Sequence, residues 1–160
     1  MNVNQLAEKL RRDNLFMENV VRWEELPARE ARYGDYPAGL DERLRPVLRQ
    51  RGVQQLYSHQ AHSIAATMRG EDVVVVTPTA SGKTMCYNLP VLDSILKNPD
   101  ARALYLFPTK ALSADQVSEL YELIQAMGVD IKTYTYDGLG RKTQTMMSMG
   151  GANKPIRYTY

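Results

Sequence analysis

The strongest feature of the apolar pattern is a run without alternation, the four β-branched residues Val73–Val76. Such a run reads as a strand buried on both faces, as in the interior of a parallel sheet. Thr77-Pro78 ends it, because proline lacks an N–H and keeps the preceding residue out of helical angles. From Met85 to Leu96 the apolar positions recur at helical spacing, with Pro90 inside the helix. Ahead of the valines, His59–Met68 reads as a helix capped by Ser58 and closed by Gly70. Beyond them, Ala101–Phe107 reads as a second apolar strand and Ser113–Met127 as a helix closed by Gly128. Ile131–Tyr136 alternates as a third strand before the turn Asp137-Gly138. The order β-α-β-α-β predicts α/β architecture with a parallel sheet.

The flanks are less regular. Residues 2–20 place Leu6, Leu10, Leu15, Phe16 and Val20 among charged positions, with Asn4 as a candidate cap. Val21–Leu40 holds the only tryptophan, Trp23, and the Gly34-Asp35 turn signal. A helix is expected from Asp41 to Gly52, with Pro46 in its first turn or at a kink. Its Arg43, Arg45, Arg49 and Arg51 read as a solvated face rather than a nucleic-acid contact. Leu139–Tyr160 has no acidic residue and no period. The expected organisation is therefore a helical and irregular lead-in (1–52), an α/β unit (53–138) and a disordered or non-native tail (139–160).

Composition narrows the class without choosing a function. The chain has 160 residues, 44% hydrophobic and 24% charged, which is globular in character. A net charge of +2 does not by itself argue for nucleic acid. A single cysteine, Cys86, excludes an internal disulfide and a multi-cysteine metal site, and reads as a packed side chain. His59 and His62 lie three apart on one expected helix, with no third ligand in the pattern. No apolar run reaches membrane-spanning length and no signal peptide opens the chain, so a cytoplasmic location is expected.

The chemistry gathers where the valine run gives way to the next helix. A strand, a tight loop, Gly82-Lys83-Thr84 and a helix form the context of a phosphate-binding loop. Backbone N–H groups of Thr79, Ala80, Ser81 and Gly82, with the positive end of the helix, suit an anion. Gly82 removes the Cβ from a close approach. Lys83 offers a point charge to the β- and γ-phosphates, and Thr84 a hydroxyl to Mg²⁺. One departure stands out: Thr77 occupies the place of the usual first glycine.

Three segments together resemble the first RecA-like domain of superfamily 2 DEAD/DEAH-box helicases. They are Leu56-Tyr57-Ser58-His59-Gln60, Thr77–Thr84, and Ala101–Leu112 with Asp115-Gln116. More narrowly they resemble the bacterial MrfA/YprA-type DNA helicases, related to the Hrq and Lhr groups, over about residues 15–138. The resemblance implies an incomplete RecA-like P-loop NTPase domain, a parallel sheet flanked by helices, with a helical lead-in. It implies ATP and Mg²⁺ as ligands, Gln60 as the reader of adenine, Lys83 on the phosphates and Thr84 on the metal. It further implies that Pro108, Thr109 and Lys110 hold the backbone of single-stranded or partly duplex DNA, with RNA still open.

Departures from the family qualify that expectation. The acidic Asp-Glu pair that ends a buried strand in the family has no counterpart, so no catalytic residue is expected in this chain. Asp137 is single and followed by glycine. The expected function is thus an N-terminal piece of an ATP-dependent DNA-repair helicase that binds ATP and DNA but does not turn over alone. A small P-loop kinase using Asp137 as base and a non-catalytic ATP- or DNA-binding piece stay open. Oligomeric state is not legible.

Overall fold

The computed structural model describes residues 2–27, 30–78, 81–147 and 156–157. The chain divides into two compact units, Met1–Ala31 and Arg32–Tyr160. The first holds α1 (Val3–Arg12) and α2 (Asn14–Met17). Asn2, not Asn4, caps α1: its Oδ1 accepts from Gln5 N at 2.9 Å, and its own N–H donates to Gln5 Oε1 at 3.0 Å. That reciprocal pair is a capping box, which Gln5 makes possible three residues on. Arg11 lies over the Trp23 ring at 4.9 Å and pairs with Glu25 at 2.7 Å.

In the second unit a short antiparallel pair, β1 (Tyr33–Gly34) and β2 (Leu56–Tyr57), aligns Tyr33 with Tyr57 and Gly34 with Leu56. Helix α4 (Ser58–Met68) follows β2 directly and packs on β1. A Cβ on Gly34 would stand 2.9 Å from Ala61 Cβ, so this approach needs glycine. Helix α3 is Leu44–Gln50, with Pro46 in its first turn, where a missing N–H costs nothing. Helix α5 (Thr84–Lys97) runs unbroken through Pro90, and α6 (Lys110–Met127) is the longest helix, ended by Gly128 at φ +65°.

The core lies between these helices. Leu44, Leu48, Leu56, Ile64, Leu89, Leu92 and Ile124 are fully buried. Buried Asp93 of α5 accepts from Asp41 N at 2.7 Å and from Lys97 Nζ at 2.7 Å. Cys86 is buried, as a small packed side chain should be.

The expected parallel sheet is not present among the described residues. Neither Val73–Val76 nor Ala101–Phe107 pairs in a ladder. Val74 and Val76 are 89% and 88% exposed, and Leu104 and Leu106 are 82% and 83% exposed. The physical reason is that a buried strand needs ladder neighbours on both sides, and β-branched composition alone does not supply them. The third expected strand forms as β3 (Lys132–Tyr136), but it pairs antiparallel with β4 (Lys142–Met147), which pairs with β5 (Ile156–Arg157). A strand thus occupies part of the stretch in which the sequence shows no period. Residues 148–155 and 158–160 of that stretch lie outside the described residues.

Candidate functional site

The loop between the valine run and α5 is built by its neighbours. Gly82 takes the left-handed conformation, φ +71°, and Lys83 and Thr84 then open α5. Lys83 Nζ donates to Pro78 O at 2.7 Å and Thr77 O at 3.0 Å, with Thr77 Oγ1 and Ser81 Oγ each at 3.4 Å. Thr77 Oγ1 and Ser81 Oγ share a hydrogen bond of 2.5 Å. Thr77, the departure at the first-glycine position, therefore takes part in closing the loop through both its hydroxyl and its carbonyl. Thr84 is half-buried at the first position of α5. Thr79 and Ala80 lie outside the described residues.

The first turn of α4 holds the loop from the other side. Gln60 is 3% exposed; its Oε1 accepts from Tyr57 N at 2.8 Å and its Nε2 donates to Gly82 O at 2.8 Å. One bond caps α4 from within and the other ties the helix to the loop. Tyr57, not Ser58, is the residue that precedes the helix, because Gln60 satisfies its N–H. An amide has two N–H donors and two acceptor lone pairs, so each end of Gln60 keeps capacity for a base edge. A Cβ on Gly82 would stand 2.5 Å from Gln60 Nε2. His59, one residue earlier, places Nε2 at 3.0 Å from Ser81 O. Its ring stacks on Tyr57, centroids 5.8 Å apart, and Tyr57 stacks on Tyr33 at 5.4 Å. As a metal ligand beside His62, His59 has no support in the sequence; its adjacency to Gln60, in a helix opening directly onto the loop, is the signal that marks it as a loop contact. His62 is exposed.

The second candidate segment stands at the opening of α6. Pro108, Thr109 and Lys110 are all exposed. Thr109 Oγ1 accepts from Leu112 N at 3.2 Å, which makes it the cap and starts α6 three residues earlier than the apolar period indicates. The carbonyl end of the preceding segment is fastened to the loop helix. Tyr105 OH donates to Asn88 Oδ1 at 3.0 Å, Tyr87 OH donates to Gln116 Oε1, and Tyr87 meets Tyr105 edge to face at 5.8 Å. Burial pushes the Tyr105 phenol above its ordinary value, with Tyr87 adding to the shift, so the hydroxyl stays a donor. Asn88 and Tyr87 of α5 thus link the phosphate loop to the 101–110 segment, roles the apolar period alone did not reveal.

Asp137 has a local role. Its carboxylate accepts from Arg141 N and Leu139 N, each at 2.9 Å, and from Arg141 Nε at 2.8 Å. The backbone N–H of Arg141, then its guanidinium, hold the carboxyl below the usual range. A carboxylate committed to closing a turn is a weak base. Among the described residues no group of three or more His, Cys, Asp or Glu is placed to hold a metal ion, and no helix is long and apolar enough to cross a membrane.

The DEAD/DEAH box helicase model matches residues 57–156, which takes in α4, the loop and the α6 segment. The chain belongs to that family. Its close relatives include the uncharacterized ATP-dependent helicase YprA of Bacillus subtilis, 56% identical over 76% of this chain and 16% of YprA. The ATP-dependent helicase HRQ1 of Saccharomyces cerevisiae is 37% identical over 85% of this chain and 12% of its own. Among solved structures, the DUF1998 helicase MrfA bound to DNA and AMPPNP superposes with a TM-score of 0.76 at 50% identity, covering 86% of this chain and 19% of MrfA. The chain therefore spans less than a fifth of the length of these relatives.

Proposed function

We propose that this chain binds ATP at the 77–84 loop and one nucleic-acid strand at 108–110, as the nucleotide-binding part of a DNA helicase of the MrfA/YprA type. The observation that carries the reading is the loop itself: left-handed Gly82, then Lys83 and Thr84 at the positive end of a 14-residue helix, strapped by Gln60. That arrangement suits a polyphosphate. MrfA, 50% identical over the matched fifth of its length, has been crystallised with AMPPNP and DNA, which supports both ligands.

Thr84 would give Mg²⁺ one oxygen, with the phosphates supplying others; the metal would neutralise charge on the β- and γ-oxygens. Lys83 would exchange its contacts with the oxygens of Thr77 and Pro78 for phosphate oxygens. Gln60, with one N–H and one lone pair to spare, would meet the adenine edge. At the second segment, Lys110 and the N-terminus of α6 present positive charge where a backbone phosphate would sit. The DNA-repair assignment and the 1–52, 53–138, 139–160 division belong to this proposal.

Turnover at a helicase-like rate is not part of it. Phosphoryl transfer to water needs a positioned base and a metal carboxylate, and Asp137 is spent in its own turn. The same commitment disfavours the kinase reading. The test is calorimetric titration of Mg-ATP into the 160-residue chain and into Lys83→Ala. Binding by the first and a loss of about tenfold or more in the second is expected; equal affinity would reject the loop assignment.

A further inference from the structure

His59 lies outside the set of residues assigned to ATP so far, yet it touches the loop as directly as Gln60 does. Three observations bear on it. Its Nε2 is 3.0 Å from Ser81 O, its ring is near-parallel to Tyr57 (10°), and Tyr57 is near-parallel to Tyr33 (12°). The ring is therefore clamped in plane by a stack that the β1–β2 register sets, Tyr33 facing Tyr57. A carbonyl oxygen can only accept, so the contact fixes the proton on Nε2.

The consequence concerns peptide orientation. A trans peptide is planar, and its C=O and N–H point in opposite directions; no peptide among the described residues is cis. With the Ser81 carbonyl held toward His59, the Gly82 N–H must point the other way. With the Gly82 carbonyl held toward Gln60 at 2.8 Å, the Lys83 N–H must also point away from α4. Two consecutive residues at the start of α4 thus aim two consecutive loop amides away from that helix. Consecutive N–H groups turned to one side are what an anion-binding nest requires.

We propose that His59 is a positioning residue for nucleotide binding: its Nε2–H fixes the Ser81–Gly82 peptide so that the Gly82 N–H faces the phosphate. This rests on the loop binding nucleotide, as proposed above. His59 touches no substrate; it acts through the loop backbone.

Two substitutions separate the hydrogen bond from the ring. His59→Phe keeps the stack on Tyr57 and removes the donor. His59→Gln loses the stack and keeps an N–H at the same reach. Calorimetry with AMPPNP and Mg²⁺, and thermal unfolding, would be run on wild type, both variants and Lys83→Ala. Expected is an unfolding midpoint for His59→Phe close to wild type, with affinity down about three- to tenfold, the worth of one net hydrogen bond. His59→Gln should recover most of that loss, and the Gly82 amide resonance should move in His59→Phe but not in His59→Gln. Wild-type affinity in His59→Phe, with Lys83→Ala still impaired, would overturn the latch alone. Equal losses in both His59 variants would overturn it too, by showing that the ring and not the donor matters. Unchanged affinity in Lys83→Ala would overturn the nucleotide reading and the latch with it. Should His59→Phe fail to fold, imidazole nitrogen resonances of the wild-type chain decide: protonation at Nε2 supports the latch, and protonation at Nδ1 overturns it.

Discussion

Replacing an exposed residue of the valine run, or of the 101–107 segment, by a charge should leave this chain as stable as before. The perturbations are Val74→Asp and Leu104→Asp. Fully burying a valine or leucine contributes about 1.5–3 kcal/mol. Val74 is 89% and Leu104 82% exposed, so only a tenth to a fifth of each is withdrawn from water. The hydrophobic term at risk is then at most about 0.5 kcal/mol, inside the usual range for surface changes. The internal control is Leu89→Ala, at a site with 0% exposure in the core. That truncation should cost about 2–5 kcal/mol. At about 4 °C per kcal/mol for a unit of this size, the control should lower the midpoint by roughly 8–20 °C and the aspartates by about 2 °C or less. Thermal unfolding followed by circular dichroism reads all three. The aspartates should also raise solubility, because an apolar extended segment with unpaired backbone groups invites association. A fall for Val74→Asp as large as that for Leu89→Ala would mean the run is buried in a ladder, and the argument from exposure would fail.

Other consequences are equally checkable. Gln60→Ala removes bonds to Tyr57 N and Gly82 O in a buried setting, so it should destabilise the chain by about 1–3 kcal/mol and narrow any preference for ATP over GTP; competition titrations give the ratio. Hydrogen bonding from the Arg43 guanidinium draws the Asp41 carboxyl from its ordinary 3.8 down to about 2. A depressed carboxylate contributes stability that is fully present above the unfolded value and is lost as pH falls through the folded one. Unfolding midpoints should therefore fall between about pH 4 and pH 2 by less in Asp41→Asn than in wild type, and equal falls would count against the pair. Lys110→Ala should weaken single-stranded DNA binding and flatten its salt dependence by about one phosphate contact, as fluorescence anisotropy across salt concentrations would show.

What was legible in the sequence was local, and what was not depended on partners. The helices α4, α5 and α6 follow from apolar periodicity, and Gly82-Lys83-Thr84 sits where a strand-loop-helix pattern places it. The α6 boundary moved because Thr109 offers a side-chain cap that periodicity does not register. The start of α4 shifted for a related reason: Gln60 reaches back to Tyr57 N and leaves Ser58 no capping task. Val73–Val76 shows the opposite case. Its composition signals a buried strand, but burial is a property of the neighbours, and among the described residues none pairs with it. Lys142–Met147 was missed because its apolar content is low. It is a strand through its ladder to β3, where Thr135 and Thr143 hydroxyls meet at 2.9 Å. For His59 the sequence offered only its place beside Gln60 in a helix opening onto the loop; which carbonyl the ring faces depends on the fold.

The central claim is that the 77–84 loop receives the phosphates of ATP, and amide resonances report it most directly. Mg-ATP should be titrated into the ¹⁵N-labelled chain while the backbone signals are followed. The account predicts that the Gly82, Lys83 and Thr84 amides shift most, with smaller changes at His59 and Gln60, and that Lys83→Ala needs at least about tenfold more ATP to approach them. Shifts confined to other segments, or the same shifts in Lys83→Ala at equal ATP, would contradict it.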